Sequence, residues 1–406
     1  MPDVAIGPIT GFGEDSLASL VARDAGAIDP HARRAALARY HALPAPGGRP
    51  GRSWQHDLNK LDFSATESVS EAPAVQIRVD ETAVRRGLIA CDLAQAARDH
   101  AEFFTAAFGK ALDATSEKFG SLAIAFQNVG AFISIPAGVA VEEPIEVVYR
   151  GDRGALFPYT LVVAGEGARA TIIERLATAT ATGFVCGASE IVLARGATLT
   201  YVSMQEADAA GRTFMTRAAR PGADAHVQWA LAELGSALAV TTLRSILAEP
   251  GAKSDIAGLF FATGDQHVDL RTDVDHISGD TESQTLVKSV VADHAQARYY
   301  GNIAIVAHAH GSSASLKDDA LILTPTAHVD SVPALEIAAN DVRAFHGATV
   351  GALDEEQIFY LMSRGIARPD AERAIALGFF EPAVMRFPTA ALRDELHRVL
   401  EAKVVA

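Results

Sequence analysis

Five short segments in the middle of the chain open alike, on a glycine and a small apolar residue: "AGVAVEEPIEV", "EGARATII", "RGATLTYV", "PGADAHVQ" and "PGAKSDIA". Their glycines, Gly138, Gly167, Gly196, Gly222 and Gly251, are spaced 29, 29, 26 and 29 residues apart. Glycine suits a turn that needs positive φ, and strand-like residues resume directly after each one. A repeat of this length built from short strands cannot bury its inner face alone, whereas stacked coils can. The spacing predicts a parallel β-solenoid. The alternative is a β-sandwich with coincidental glycine spacing, which near-constant register over five segments disfavours.

The segments between the glycines alternate with period two. In "ATLTYVSM", Leu199 and Tyr201 share one face, opposite Thr198, Thr200 and Val202. In "AHVQWALAEL", Val227, Trp229 and Leu231 oppose His226, Gln228 and Ala230. In "QHVDLRTDVDH", Val268, Leu270, Thr272, Val274 and His276 face one way. His267, Asp269, Arg271, Asp273 and Asp275 face the other. Both ends of the chain read as helical, which suggests caps for the solenoid ends. The expected architecture is mainly β: a right-handed parallel β-helix core over 119–349, an N-terminal helical region over 1–118 and a C-terminal helical region over 350–406. Within the first region, "PAPGGRPGRS" at 44–53 is dense in proline and glycine and reads as a loop. Trp54 follows it and is expected to dock the next segment on the body.

At the C-terminal end, Asp354 is placed to cap "DEEQIFYLMSR", with Gly365 as its stop. The segment "RPDAERAIALGFF" repeats the design, with Pro369 early and Gly378 after.

Charge and cysteine usage narrow the function classes. With 35 basic against 50 acidic residues, the net charge of −15 opposes broad attraction to nucleic acid or an anionic membrane. Two separated cysteines, Cys91 and Cys186, exclude a disulfide scaffold and fit a reducing compartment. The opening residues lack a signal-peptide pattern, no apolar run approaches a membrane span, and a cytoplasmic location is expected. Phosphate-loop, dinucleotide, nucleophile-elbow, zinc-protease and C-x-x-C motifs are all missing, so a non-enzymatic role is expected.

A few residues remain as candidates for chemistry. His308 and His310 of "HAH" would lie about 6–7 Å apart on one strand face and could share a metal, or simply belong to a polar outer face. Asp273, Asp275 and Asp280 suit either calcium or acid–base work on acidic polysaccharide, or a solvated strand face. His276 reads as an inward, hydrogen-bonded histidine, and Lys288 as a salt-bridged group buried near it. His346, in "RAFHGATVG", is either a working residue or a polar group satisfied at a strand end.

Three stretches carry a resemblance: "NVGAFISIPAGVAVEEPIEV", "VDHISGDTESQTLVKSVVAD" and "PALEIAANDVRAFHGATVGALDEEQIFYLMSRGI". From about residue 90 onward the chain resembles the SufB/SufD family of iron–sulfur cluster assembly scaffolds. Asp318 stands where SufB sequences resemble one another in a cysteine, and Gly347 stands where they carry a glutamate. The "HGATVG" and "LDEE" segments look like the SufD branch, although Ala344 replaces a cysteine common there. The resemblance implies pairing with a SufB-like scaffold through the β-helix edge, by strands near 320–345. It implies docking of a SufC-like ABC-type ATPase on the C-terminal helices. It places His346 at a metal site shared with the partner, where a transient iron–sulfur cluster forms that this chain does not hold stably alone. It also implies a link to reduced flavin, for which the sequence offers no motif. Rival expectations are a homodimeric structural scaffold and a cytosolic β-helix enzyme using the aspartates.

Overall fold

The computed structural model describes residues 12–23, 27–43, 73–112, 117–151, 154–176, 183–207 and 210–405. The 44–53 loop and the Trp54 segment lie outside them. The N-terminal part holds helices α1 (Glu14–Arg23), α2 (Pro30–Ala42), α3 (Glu81–Arg85), α4 (Leu93–Asp99), α5 (Ala101–Ala107) and α6 (Lys118–Phe126). Strands β1 (Ala74–Arg78) and β2 (Ile89–Asp92) are interspersed among them. The solenoid then runs through β3 (Val129–Ile135), β4 (Ile145–Arg150), β5 (Pro158–Ala164), β6 (Arg169–Leu176), β7 (Phe184–Leu193) and β8 (Thr198–Gln205). It continues with β9 (Arg212–Pro221), β10 (His226–Glu233), β11 (Leu238–Leu247), β12 (Lys253–Ala262) and β13 (His267–His276). Its last strands are β14 (Glu282–Val291), β15 (Gln296–Ile305), β16 (Ser313–Ile322), β17 (His328–Ile337) and β18 (Arg343–Ala352). Helices α7 (Glu355–Ser363), α8 (Arg368–Val384) and α9 (Ala390–Val405) follow.

From β3 onward, successive strands alternate between two sheets, so each coil gives one strand to each. One sheet, here the even sheet, has the order β1-β4-β6-β8-β10-β12-β14-β16-β18; the odd sheet runs β17-β15-β13-β11-β9-β7-β5-β3-β2. Pairing from β3 to β18 within each sheet is parallel, and partners lie from 26 positions apart (Arg212 opposite Leu238) to 32 (Gln296 opposite His328). The expected parallel β-solenoid is present, with helices at both termini.

The turn series corrects one glycine. Positive φ occurs at Gly138, Gly167, Gly196, Asp224, Gly251, Asp280 and Gly311. Gly222 is not in that conformation: it sits two residues before Asp224, donating its N–H to Leu193 O at 2.8 Å. The short Asp side chain tolerates the left-handed region, so the anomalous spacing of 26 is a glycine read for the wrong turn position. In this series, Gly196 donates to Ala223 O at 2.9 Å and Asp224 to Pro250 O at 3.0 Å, linking coil to coil.

The alternation predicted for the strands holds. Leu199, Tyr201, Val227, Trp229, Leu231, Val268, Leu270 and Val274 all lie in the interior between the sheets. His276 is fully buried there, with Nδ1 2.8 Å from Thr281 Oγ1 and Nε2 2.8 Å from Ser283 Oγ. Burial lowers its pKa to about 4. Unfolding therefore takes up a proton between about pH 6.5 and pH 4, so this histidine's contribution falls as pH falls through that window. The loss accumulates through that window and reaches about 3 kcal/mol near pH 4, where the buried ring itself begins to take up a proton. Melting temperatures at pH 7 and pH 4.5 are expected to differ less in His276→Gln than in the parent; equal differences would contradict this account.

The stretch read as wholly helical before 118 also supplies β1 and β2, which pair antiparallel with β4 and β3 and close the N-terminal edges of both sheets. Cys91 and Asp92 end β2, and Asp92 caps α4 by accepting from Ala94 N at 2.8 Å. The helical run after Asp92 breaks at His100 into α4 and α5, and Phe103 of α5 is half exposed. Conversely, Lys118–Phe126 is a helix where period two was expected to begin. It is buried along its whole length. Arg33 of α2 clamps it, donating to Ala125 O and Gln127 O. Helices α2, α4 and α6 pack with Phe157, Tyr159, Phe184 and Phe214 on the outer face of the odd sheet.

The C-terminal helices lie along the outer face of the even sheet rather than over an end. Phe380, Val384, Phe387, Leu396 and Leu400 meet Val202, Ala230, Leu259 and Phe261. Arg175 of β6 grips Glu395 through two bonds of 2.7 Å. Asp354 caps α7 and Gly365 follows it with φ +89, as expected. Gly378 does not stop α8, which runs on through Pro382 to Val384. Burial of Phe380, Ala383 and Val384 outweighs the roughly 1 kcal/mol that an interior glycine costs.

Candidate functional site

Placing the helices on the sheet faces leaves the C-terminal end of the stack open. β17 and β18 are the last strands of their sheets, and neither has a further strand beside it among the described residues. Their strand alternation is that of the coils beneath. On β18, Ala344, His346, Ala348 and Val350 stand opposite Ala314, Leu316, Asp318 and Ala320 of β16, on the interior side. On β17, Val329, Ser331, Pro333, Leu335 and Ile337 continue the column of Ala297, Tyr299, Gly301, Ile303 and Ile305. The hydrophobic interior thus ends in an uncovered cross-section, where Val350 is 45% and Ile337 43% exposed. On the outward sides, Val332 and Phe345 are exposed as well.

His346 is exposed on this last strand, opposite Leu316 and flanked on its own face by the small Ala344 and Ala348. Its neighbour Phe345 faces the other way, into a groove of about 450 Å³ between the even sheet and the α8–α9 turn. One layer below the rim lies Asp318, fully buried. Its Oδ2 accepts from Ser331 Oγ across the interior, and its Oδ1 has no hydrogen-bond partner. Burial pushes this carboxyl up to about 7, against the opposing pull of the Ser331 hydroxyl. A buried, half-satisfied carboxyl costs on the order of 1–3 kcal/mol. Sequence reading noted Asp318 only as a replacement for a thiol. The alternation Ala314, Leu316, Asp318, Ala320 was the available signal that it points inward.

The other candidates are scattered. His308 and His310 lie in the turn between β15 and β16, not on a strand, because the coil bends one residue past β15; His310 pairs with Asp341 at 2.6 Å. Asp273 pairs with Arg271 and Asp275 with Arg244 on the outer face, while Asp280 occupies a positive-φ turn. Those acids are engaged in ion pairs and backbone geometry rather than presented as a carboxylate pair. Lys288 is salt-bridged, to Asp319 Oδ2 at 2.8 Å beneath the Phe379 ring, but on the outer face and so not beside the interior His276. Among the described residues, no three His, Cys, Asp or Glu side chains converge as a metal site.

Deeper in the interior is a polar network that sequence reading missed. Glu174 accepts from Thr160 Oγ1 and Tyr201 Oη at 2.7 Å each, and pairs with Arg217 at 2.8 Å; both charged side chains are fully buried. Arg217 Nη2 also donates to Ser203 Oγ, and Thr241 donates to Glu233 Oε1 at 2.8 Å. Burial raises the Glu233 carboxyl, with Arg217 opposing.

Comparison with known proteins places this architecture. The family model described as "SUF system FeS cluster assembly, SufBD core domain" matches residues 147–379. The iron–sulfur cluster assembly protein SufD of Bacillus subtilis (strain 168) is 30% identical over 354 residues, covering 86% of this chain and 81% of that protein. The iron–sulfur cluster assembly protein SufB of the same organism is 27% identical over 362 residues, 84% of this chain and 78% of that one. An iron–sulfur cluster assembly SufBD family protein of Staphylococcus epidermidis (strain ATCC 12228 / FDA PCI 1200) is 27% identical, with 78% and 69% covered. No helix among the described residues is long and apolar enough to cross a membrane.

Proposed function

The chain belongs to the SufBD family of iron–sulfur cluster assembly proteins, and from that membership we propose that it is a SufD-type scaffold subunit without catalysis of its own. A SufB-like solenoid completes the open end by adding its strands to β17 and β18, burying the apolar cross-section and satisfying the free strand edges. The observation that carries this reading is that open end: two edge strands that have no further strand beside them among the described residues, with Val332, Ile337, Phe345 and Val350 exposed on them. A nascent cluster forms at the joint, transiently and not on this chain alone. His346 contributes a neutral imidazole that adds no negative charge to a thiolate-rich partner site. A SufC-like ABC-type ATPase docks on the C-terminal helices, where Phe359, Tyr360 and Met362 of α7 are exposed. Its nucleotide cycle supplies the work that a chain without a phosphate loop does not.

Co-expression with SufB-like and SufC-like chains tests this directly. A complex containing all three is expected to co-purify, and His346→Ala is expected to leave it intact while lowering cluster yield several-fold. A chain that self-associates and ignores both partners would favour the homodimeric scaffold. An intact His346→Ala complex with full cluster yield would remove the ligand role.

A further inference from the structure

The two strands that end the stack differ in the chemistry of their free edges. β17 donates to β15 from His328 N to Ala295 O at 3.1 Å and, just past the strand, from Ala338 N to Ile305 O at 2.8 Å. Backbone groups alternate in direction along a strand, so the even-numbered residues of β17 bond β15. Val329, Ser331, Pro333, Leu335 and Ile337 turn their backbone to the free edge instead. Pro333 stands in the middle of that row without an N–H, and its ring fills the place where an added strand's carbonyl would approach. Its nitrogen points away from β15, so the stack itself loses no bond. Asp330 and Glu336 add charge to the same strand.

β18 is the opposite case. Arg343 N donates to Ser312 O at 3.0 Å, which leaves Ala344, His346, Ala348, Val350 and Ala352 facing the free edge, each with an N–H. From 344 to 352 the strand has no proline and no Asp, Glu, Lys or Arg. Proline and charge are the devices that keep an edge strand from being extended by another chain. One edge of the open end carries them and the other does not.

We propose that Pro333 guards the free edge of β17 against copies of this chain, and that a partner's unbroken backbone ladder forms on β18. The odd sheet is then extended only in two short pieces, one on either side of the proline. A solenoid end with two unguarded strands would be a template for stacking like chains, which an isologous or head-to-tail contact needs. The second half of the proposal rests on the open end being where a SufB-like chain pairs. The first half is read on this chain alone.

Sedimentation velocity of the purified full chain over a concentration series tests the guard. Pro333→Ala is expected to strengthen self-association at least tenfold. Pro333→Ala with Leu335→Pro moves the proline two residues along the same edge and is expected to restore parental behaviour, which a misfolded variant would not do. Ala348→Pro, whose N–H also faces the free edge, is expected to melt like the parent and to bind a SufB-like chain at least tenfold more weakly. Parental self-association in Pro333→Ala overturns the proposal. So does a double variant that associates as strongly as Pro333→Ala, or undiminished partner binding by Ala348→Pro. A parent that ignores the SufB-like chain, with Pro333→Ala still self-associating, would remove the partner reading and leave the guard standing.

Discussion

Arg217→Ala is expected to destabilise the protein by about 3–5 kcal/mol, the cost of stranding a buried charge. Glu174 would keep its hydrogen bonds from Thr160 and Tyr201 but lose its ion pair with Arg217, with Glu233 also facing the vacated position. A denaturant or thermal melt reads the effect. Replacing both partners, Glu174→Gln with Arg217→Met, is expected to recover part of the loss, because the charge on Glu174 is then gone and only Glu233 still faces the vacated position. The exposed pair Lys253–Glu282 is the contrast: Lys253→Ala is expected to change stability by less than about 1 kcal/mol. A loss from Arg217→Ala as small as the one from Lys253→Ala would show that the interior pair is not what holds these coils together.

Val350→Asp is expected to weaken pairing with a SufB-like solenoid by at least 100-fold while leaving the free chain folded. Val350 faces the interior at the open end and is 45% exposed in the single chain, so a carboxylate there stays hydrated until a partner covers it. Burying it unpaired then costs several kcal/mol, and about 2.7 kcal/mol already corresponds to the stated factor. Sedimentation of the variant mixed with its partner measures this. Undiminished association would mean that the partner does not stack on this end.

Much of the coil was legible because alternation and turn chemistry are local. The faces of the strands carrying Tyr201, Trp229 and Val274 were readable residue by residue, and so was the inward His276. Local reading failed where two residues serve the same backbone need, as Gly222 and Asp224 do. It failed again at Gly378, where burial of Phe380 and Val384 carries the helix past a residue that usually ends one. Of the candidate site, the sequence singled out His346 by its motif, but Asp318 and Ser331 were not identifiable as a hydrogen-bonded pair. They are thirteen positions apart and meet only because consecutive strands enter opposite sheets.

The sequence alone determined the repeat and the solenoid it requires, since both depend on spacing along one strand or between equivalent turns; its motif stretches carried the family resemblance separately. Tertiary structure alone decided where the helices go. Apolar stripes on α8 and α9 could have covered an end or a face, and the complementary row of Val202, Ala230, Leu259 and Phe261 draws them onto the face. That choice leaves the C-terminal cross-section open, and packing between distant elements, not spacing along the chain, sets it.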